Sequence, residues 1–170
     1  MRTDQLNFFS DEVASANLDG PLVVVPCGRT KVWAKFPEAG PMIASDAYTG
    51  TQFRAARCYA EAHGSDWVIL SAKYGFISPS TRIENYDVAF SKLINGYYRP
   101  VEMPGQVSDA TLQSQAEELV AGHSGKEIRC LVADAYRVKI ERAFARLPVT
   151  LTFPITGLRQ HAMMAWLARR

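Results

Sequence analysis

ILSAKYGF, residues 69–76, is an apolar run that ends at once on a lysine, a tyrosine and a glycine. With Trp67 and Val68 it forms WVILS (67–71), apolar nearly throughout rather than alternating. Strands covered on both faces by helices have this pattern. Three more runs share it: LVVVP (22–26), RCLVA (129–133) and VTLTF (149–153). Helical patterns lie between them. TQFRAARCYAEAH (51–63) puts Phe53, Ala56, Tyr59 and Ala60 on one face and stops at Gly64, a C-cap candidate. SDATLQSQAEELVAG (108–122) offers Ser108 and Thr111 as caps, with Leu112, Ala116, Leu119 and Val120 on one side. RVKIERAFARL (137–147) groups Ile140, Phe144 and Leu147, and RQHAMMAWLARR (159–170) reads as a closing helix whose basic end suits its dipole. A small N-terminal helix is expected from Ser10. This alternation predicts one α/β domain over residues 1–170: three layers, α/β/α, around a four-stranded parallel sheet.

With 170 residues, 48% of them hydrophobic, the chain is long enough to bury a core. The opening MRTDQLNFFSDE is mixed and polar, unlike a signal peptide, and the longest apolar runs are too short to span a bilayer. Cys27, Cys58 and Cys130 are odd in number and widely spaced, giving neither a metal pattern nor a disulfide framework. The expectation is a reduced, cytoplasmic monomer with no membrane contact, cofactor or metal. A net charge of +2, from 19 basic and 17 acidic residues, neither announces nor excludes a nucleic-acid partner, since a neutral total can hide a basic groove.

Two long connections break the rhythm, 27–50 and 72–107, and both follow strands. Connections of this length in a compact domain are usually functional, and in open α/β sheets ligands sit beyond the carboxyl ends of the strands. The first strand delivers Cys27, Gly28, Arg29 and Lys31 to that edge, followed by Asp46 and Tyr48. The second delivers Ser71, Lys73, Tyr74 and Gly75, followed by Asn85, Tyr86 and Asp87. The third brings Asp134 and Tyr136, and the fourth Thr156, Gly157, Arg159 and Gln160. Cations answer phosphates, tyrosines offer stacking faces, and Asn or Asp can read a base edge, so an anionic ligand carrying a ring is expected. PCGRTK lacks the P-loop spacing, and Gly28 can be read simply as a turn. Cys27 reads more readily as a small hydrophobe than as a nucleophile, because no histidine is near it in sequence. A lysine leaving a buried strand needs a polar partner, and for Lys73 either Asp87 or a phosphate would serve. Asp87 stands among aromatic neighbours, where exclusion of water would favour its protonated form. NGYYRP (95–100) is an aromatic and basic loop that reads either as a packed lid or as a contact for a nucleic-acid strand.

VVVPCGRTK together with AYTGTQFRAARCYAEAHGSDWVILSAKYGFISPSTRIENYDVAF resembles an uncharacterised bacterial and phage domain family. Its pattern runs C-G-x-x-K, Y-T-G-x-x-F-R, L-S-A-K-Y-G and then Y-D, covering most of residues 22–90, with a weaker echo at GLRQHAMMAWL. ILSAKYGFISPSTRIENYDV is also similar to a segment of the YaaA peroxide-stress proteins, and the PC-G loop to the deazapurine-handling domain of archaeosine synthase. That wider group resembles the uracil-DNA glycosylase superfamily, which implies a four-stranded parallel core between helices. It also includes phage-defence glycosylases that remove hypermodified cytosines. The superfamily motifs G-Q-D-P-Y-H and H-P-S are absent, with CGRTKVW and PITGLRQH in their places, so its catalytic aspartate and histidine do not carry over.

The resemblance implies a DNA glycosylase acting on a modified base in phage DNA. The nucleotide would be flipped out, with Tyr48, Tyr74 or Tyr86 stacking on it and Arg29, Lys31 and Lys73 on flanking phosphates. Asp87, then Asp46 or Asp134, would supply the carboxylate, and Lys73 is the candidate amine for a lyase variant. A non-catalytic nucleic-acid-binding protein and a nucleoside- or deazapurine-handling transferase are the alternatives.

Overall fold

The computed structural model describes residues 20–64 and 66–169. The helix expected from Ser10 lies outside the described residues. In chain order the elements are β1 (Leu22–Pro26), a 3-10 turn (Val32–Ala34), β2 (Met42–Ile43), α1 (Ala44–Ala47), α2 (Thr51–His63), β3 (Asp66–Ser71), β4 (Gly75–Ile77), β5 (Arg82–Ile83), β6 (Ser91–Ile94), β7 (Tyr97–Pro100), α3 (Asp109–Gly122), β8 (Glu127–Cys130), α4 (Asp134–Phe144), β9 (Thr150–Thr152) and α5 (Gln160–Leu167).

The central sheet has five strands in the order β4-β3-β1-β8-β9. The four strands expected from the sequence run parallel, and β4 adds an antiparallel edge beside β3. Alternation along each strand explains the unbroken apolar runs. Val23 and Val25 of β1, with Ile69 of β3, face a core built with Phe53, Ala56 and Tyr59 of α2 and Leu167 of α5. Leu22 and Val24, with Val68 and Leu70, face the other core, built with Leu112 and Ala116 of α3 and Ile140 and Phe144 of α4. Both faces are covered, so no position along β1 can be polar. Burying each such side chain stabilises by ~1.5–3 kcal/mol.

Several expected boundaries shift. RCLVA gives a strand that ends at Cys130, because Leu131 and Val132, though buried, are past the ladder and already lead into α4. Helix α4 begins at Asp134, three residues before the expected start, with an acid in its first turn where the dipole favours one. It stops at Phe144, so Leu147 packs from the turn that follows. Ser108 caps α3 by accepting from the Thr111 amide, so of the two expected caps only Ser108 acts as one. Gly64 does cap α2, but not through a left-handed conformation: its φ is −87°, and a Cβ there would come within 2.9 Å of Ala60 O, Asp66 O and Val23 Cγ2. Asp109 pairs with Lys139 at 3.1 Å and with Arg142 at 3.4 Å, joining α3 to α4.

The two long connections are ordered and joined to one another. β2 and β5 pair antiparallel, Met42 opposite Ile83, which binds the segment after β1 to the segment after β3. β6 and β7 form a separate hairpin across Asn95 and Gly96. No helix among the described residues is long and apolar enough to cross a membrane.

Candidate functional site at the strand ends

Ser71 closes β3 and is fully buried. Its Oγ accepts from the amides of Lys73 (3.2 Å) and Tyr74 (3.1 Å), which leaves its own proton for the Tyr86 hydroxyl at 2.9 Å. Tyr86 in turn lies 2.6 Å from the Tyr48 hydroxyl. This chain of hydroxyls ties the end of β3 to both long connections. Burial pushes the Tyr48 and Tyr86 phenols well above the ordinary range, so both stay neutral. Tyr86→Phe is expected to cost about 1–3 kcal/mol, since it strands two buried hydroxyls while keeping the ring. Urea unfolding checks this, and an unchanged midpoint would show that the hydroxyls reach water instead.

The Tyr86 ring carries the cations. Lys31, bridged through its backbone to Tyr48, places Nζ 4.3 Å from the ring centroid. Lys73 Nζ lies 5.7 Å from the same centroid and 5.1 Å from that of Tyr74. Tyr74 meets Tyr86 edge-on at 5.5 Å. Burial pushes the Lys31 ammonium below its ordinary value, while the nearby Cys27 and Asp87 push it back up. Among the described residues neither lysine has a carboxylate within ion-pair distance. Positive charge is therefore left over at this edge. Cys27 Sγ sits 3.3 Å from the Tyr136 hydroxyl, and the Tyr136 ring packs edge-on against Phe90. Burial raises the Tyr136 phenol as well. Arg29, just beyond β1, donates to the Tyr98 hydroxyl at 2.9 Å and lies 5.2 Å from that ring.

The structure brings together Cys27, Arg29, Lys31, Tyr48, Ser71, Lys73, Tyr74, Tyr86 and Asp87, and it corrects several roles. Tyr48 (2% exposed) and Tyr86 (9%) are core residues, and the Tyr86 ring is already in contact with lysines, so neither offers a free stacking face. Lys73 rests on two rings rather than pairing with Asp87, whose charge instead bears on Lys31. Asp87 is exposed, so the dry aromatic surroundings expected for it are absent. Asp46 is exposed too, and its 3.9 Å pair with Arg57 ties it to α2. Asn85, Asp134 and Arg159 are exposed, the last two at the starts of α4 and α5. Gly28 is not held by space: a Cβ would meet Phe53 Cβ at 3.5 Å, an ordinary contact.

Gln115 is a residue that the sequence reading missed. From α3 it accepts from the Phe76 amide at 2.8 Å and donates to the Tyr74 carbonyl at 3.0 Å, pinning the turn that carries Lys73. A glutamine on a helix face gives no sequence signal for such a clamp. The β6–β7 hairpin did have a signal, because Asn-Gly between β-prone segments is the strongest short-range mark of a hairpin. Two concavities lie elsewhere: about 310 Å³ beside His123 and the starts of β1 and β3, and about 480 Å³ between α2 and α5. Neither is lined by the unpaired lysines, so the strand ends are the better candidate. No group of three or more His, Cys, Asp or Glu among the described residues is placed to hold a metal ion.

The family of unknown function DUF6884 matches residues 22–169, which takes in every element from β1 to α5. The chain belongs to this family. It is also similar to the uncharacterized protein YfjM of Bacillus subtilis (strain 168), 46% identical over 70 residues. That match takes in 41% of this chain and 47% of YfjM, so it spans about half the length of the relative. No solved structure matches.

Proposed function

We infer that this DUF6884 protein is a DNA glycosylase that hydrolyses the N-glycosidic bond of a modified base and leaves an abasic site. One observation carries the reading: Lys31 and Lys73 converge on one tyrosine ring at the strand ends without a carboxylate partner, and the exposed Asp87 stands close enough to act on Lys31. The unpaired ammoniums suit phosphates flanking the target nucleotide. Asp87, the candidate carboxylate whose charge reaches that lysine, would stabilise the oxocarbenium-like sugar and orient the attacking water. Stacking on the extruded base passes to half-buried Tyr74, since Tyr48 and Tyr86 are enclosed. The resemblance of residues 22–90 to an uncharacterised domain family, whose wider group resembles the uracil-DNA glycosylases, and a sheet with four parallel strands between helices support the same reading. Hypermodified cytosine in phage DNA is the base class it favours.

The test is incubation with genomic DNAs carrying different cytosine and guanine modifications, followed by alkaline cleavage. Strand breaks confined to one modified DNA are expected, and intact DNA throughout would sink the reading. A second reading, a non-catalytic nucleic-acid-binding protein, draws on the exposure of all three candidate carboxylates, Asp46, Asp87 and Asp134. Tight DNA binding without base release would favour it.

A further inference from the structure

The β6–β7 hairpin stands apart from the central sheet and leaves large side chains in water. Tyr97 is 68% exposed, Tyr98 60%, Leu93 55% and Ile94 45%. Clustered exposed apolar side chains of this size mark an interaction surface. Residues 91–100 contain Lys92 and Arg99 and no acid. Among the described residues, Lys92, Arg99 and neighbouring Arg29 pair with no carboxylate. The surface is therefore apolar and cationic together, which complements a polyanion with stacked rings better than it complements an ordinary protein face.

The shape is equally particular. Asn95 (φ 50°) and Gly96 (φ 80°) make a two-residue turn, so the tip is narrow. Ile94 opposes Tyr97 immediately beside that turn, and Leu93 opposes Tyr98 one step back, on the other face. The foot is fixed: the Val101 amide bonds Phe90 O at 3.0 Å, and Gln106 Nε2 donates to both Ala89 O and Val101 O. Phe90 itself is buried. On the side of the strand ends, Arg29 holds Tyr98.

We propose that this hairpin is a duplex-opening wedge: Ile94 and Tyr97 enter the base stack beside the target nucleotide, while Tyr98 and Arg29 meet the strand at the mouth of the site. This rests on the glycosylase reading for its setting. Apolar side chains pushed between base steps unstack and kink DNA, and the contacts they make offset the cost of unstacking. Extrusion from a duplex needs such a device, whereas a single strand presents its bases already free.

The experiment compares the wild type with the Ile94→Ser/Tyr97→Ser double variant on matched duplex and single-stranded DNA carrying the modified base, with 2-aminopurine as its neighbour. The substitutions are at exposed positions, and a circular dichroism melt monitors folding. Wild type is expected to raise 2-aminopurine fluorescence in the duplex. The double variant is expected to lose that rise and to release base from duplex about tenfold more slowly or worse, given what one stacked ring contributes. Its rate on single strands should be unchanged. Tyr97→Ser alone, a single change at an exposed position, is expected to lose part of the fluorescence rise in the duplex and serves as the check if the double variant folds poorly. Equal effects on duplex and single strand, or none on either, overturn the wedge. So does a wild type that binds duplex without a fluorescence rise, or a double variant whose sole change is reduced self-association. A wild type that releases no base but opens the duplex through this hairpin keeps the wedge and removes the glycosylase reading.

Discussion

Asp87→Asn is expected, on the proposed glycosylase reading, to lower base release by about 10²–10⁴-fold, the range typical for losing a positioned acid–base group. Asparagine keeps the size and much of the hydrogen-bonding shape but cannot carry the negative charge that a developing sugar cation requires. Because Asp87 is exposed and makes no ion pair among the described residues, the unfolding midpoint should stay where it is. Single-turnover rates of abasic-site formation on the responsive DNA provide the measurement. Asp46→Asn is the internal control, since Asp46 is bound toward Arg57 and should leave the rate unchanged. If Asp87→Asn matches wild type while Asp134→Asn is slow, the carboxylate belongs to the start of α4 instead.

Gly75→Ala is the substitution with the largest expected effect on stability, about 2–5 kcal/mol. Two causes combine. Gly75 has φ +77°, a left-handed conformation that costs an L-residue ~1–2 kcal/mol. A Cβ at this position also collides with Gln115 Oε1, so the glutamine must leave the Phe76 amide and the Tyr74 carbonyl, at ~0.5–1.5 kcal/mol for each bond lost. Gln115→Ala should show the second part alone, and urea titration of both variants separates the causes. A Gly75→Ala variant within about 0.5 kcal/mol of wild type would mean that the β3–β4 turn relaxes freely. On the proposed reading the same variant should also weaken DNA binding, because the turn it distorts carries Lys73 and Tyr74.

The parallel core was legible because helices on both faces leave β1 and the middle of β3, Val68–Leu70, no polar position, so continuous apolar sequence and buried parallel strand coincide. Helix α2 was legible for a related reason: its buried residues Phe53, Ala56, Tyr59 and Ala60 repeat at helical spacing. The small antiparallel pieces left little trace. β2 and β5 are two residues each, too short for any period to emerge, and their pairing depends on two connections meeting across some 40 positions of sequence. β4 is only three residues long and follows Ser71 so closely that GFI fell within the connection read over 72–107.

For the site, residue types and topology sufficed to send Cys27, Arg29, Lys31, Ser71, Lys73, Tyr74, Tyr86 and Asp87 to one edge, because strand order alone fixes which loops emerge there. What each one touches could not be read that way. Tyr48 and Tyr86 resemble stacking residues in sequence but are locked in a buried hydroxyl chain with Ser71. Lys73 and Asp87 are attractive partners on charge alone, yet the ammonium rests on two rings and the carboxylate bears on Lys31. The layered α/β core and the sheet edge that bears the two long connections were readable from the chain in order, since hydrophobic periodicity and chain order are local properties. Which tyrosines are enclosed, which lysines among the described residues lack a carboxylate and which hairpin faces solvent depend on the folded chain, because burial and pairing arise between segments far apart in sequence.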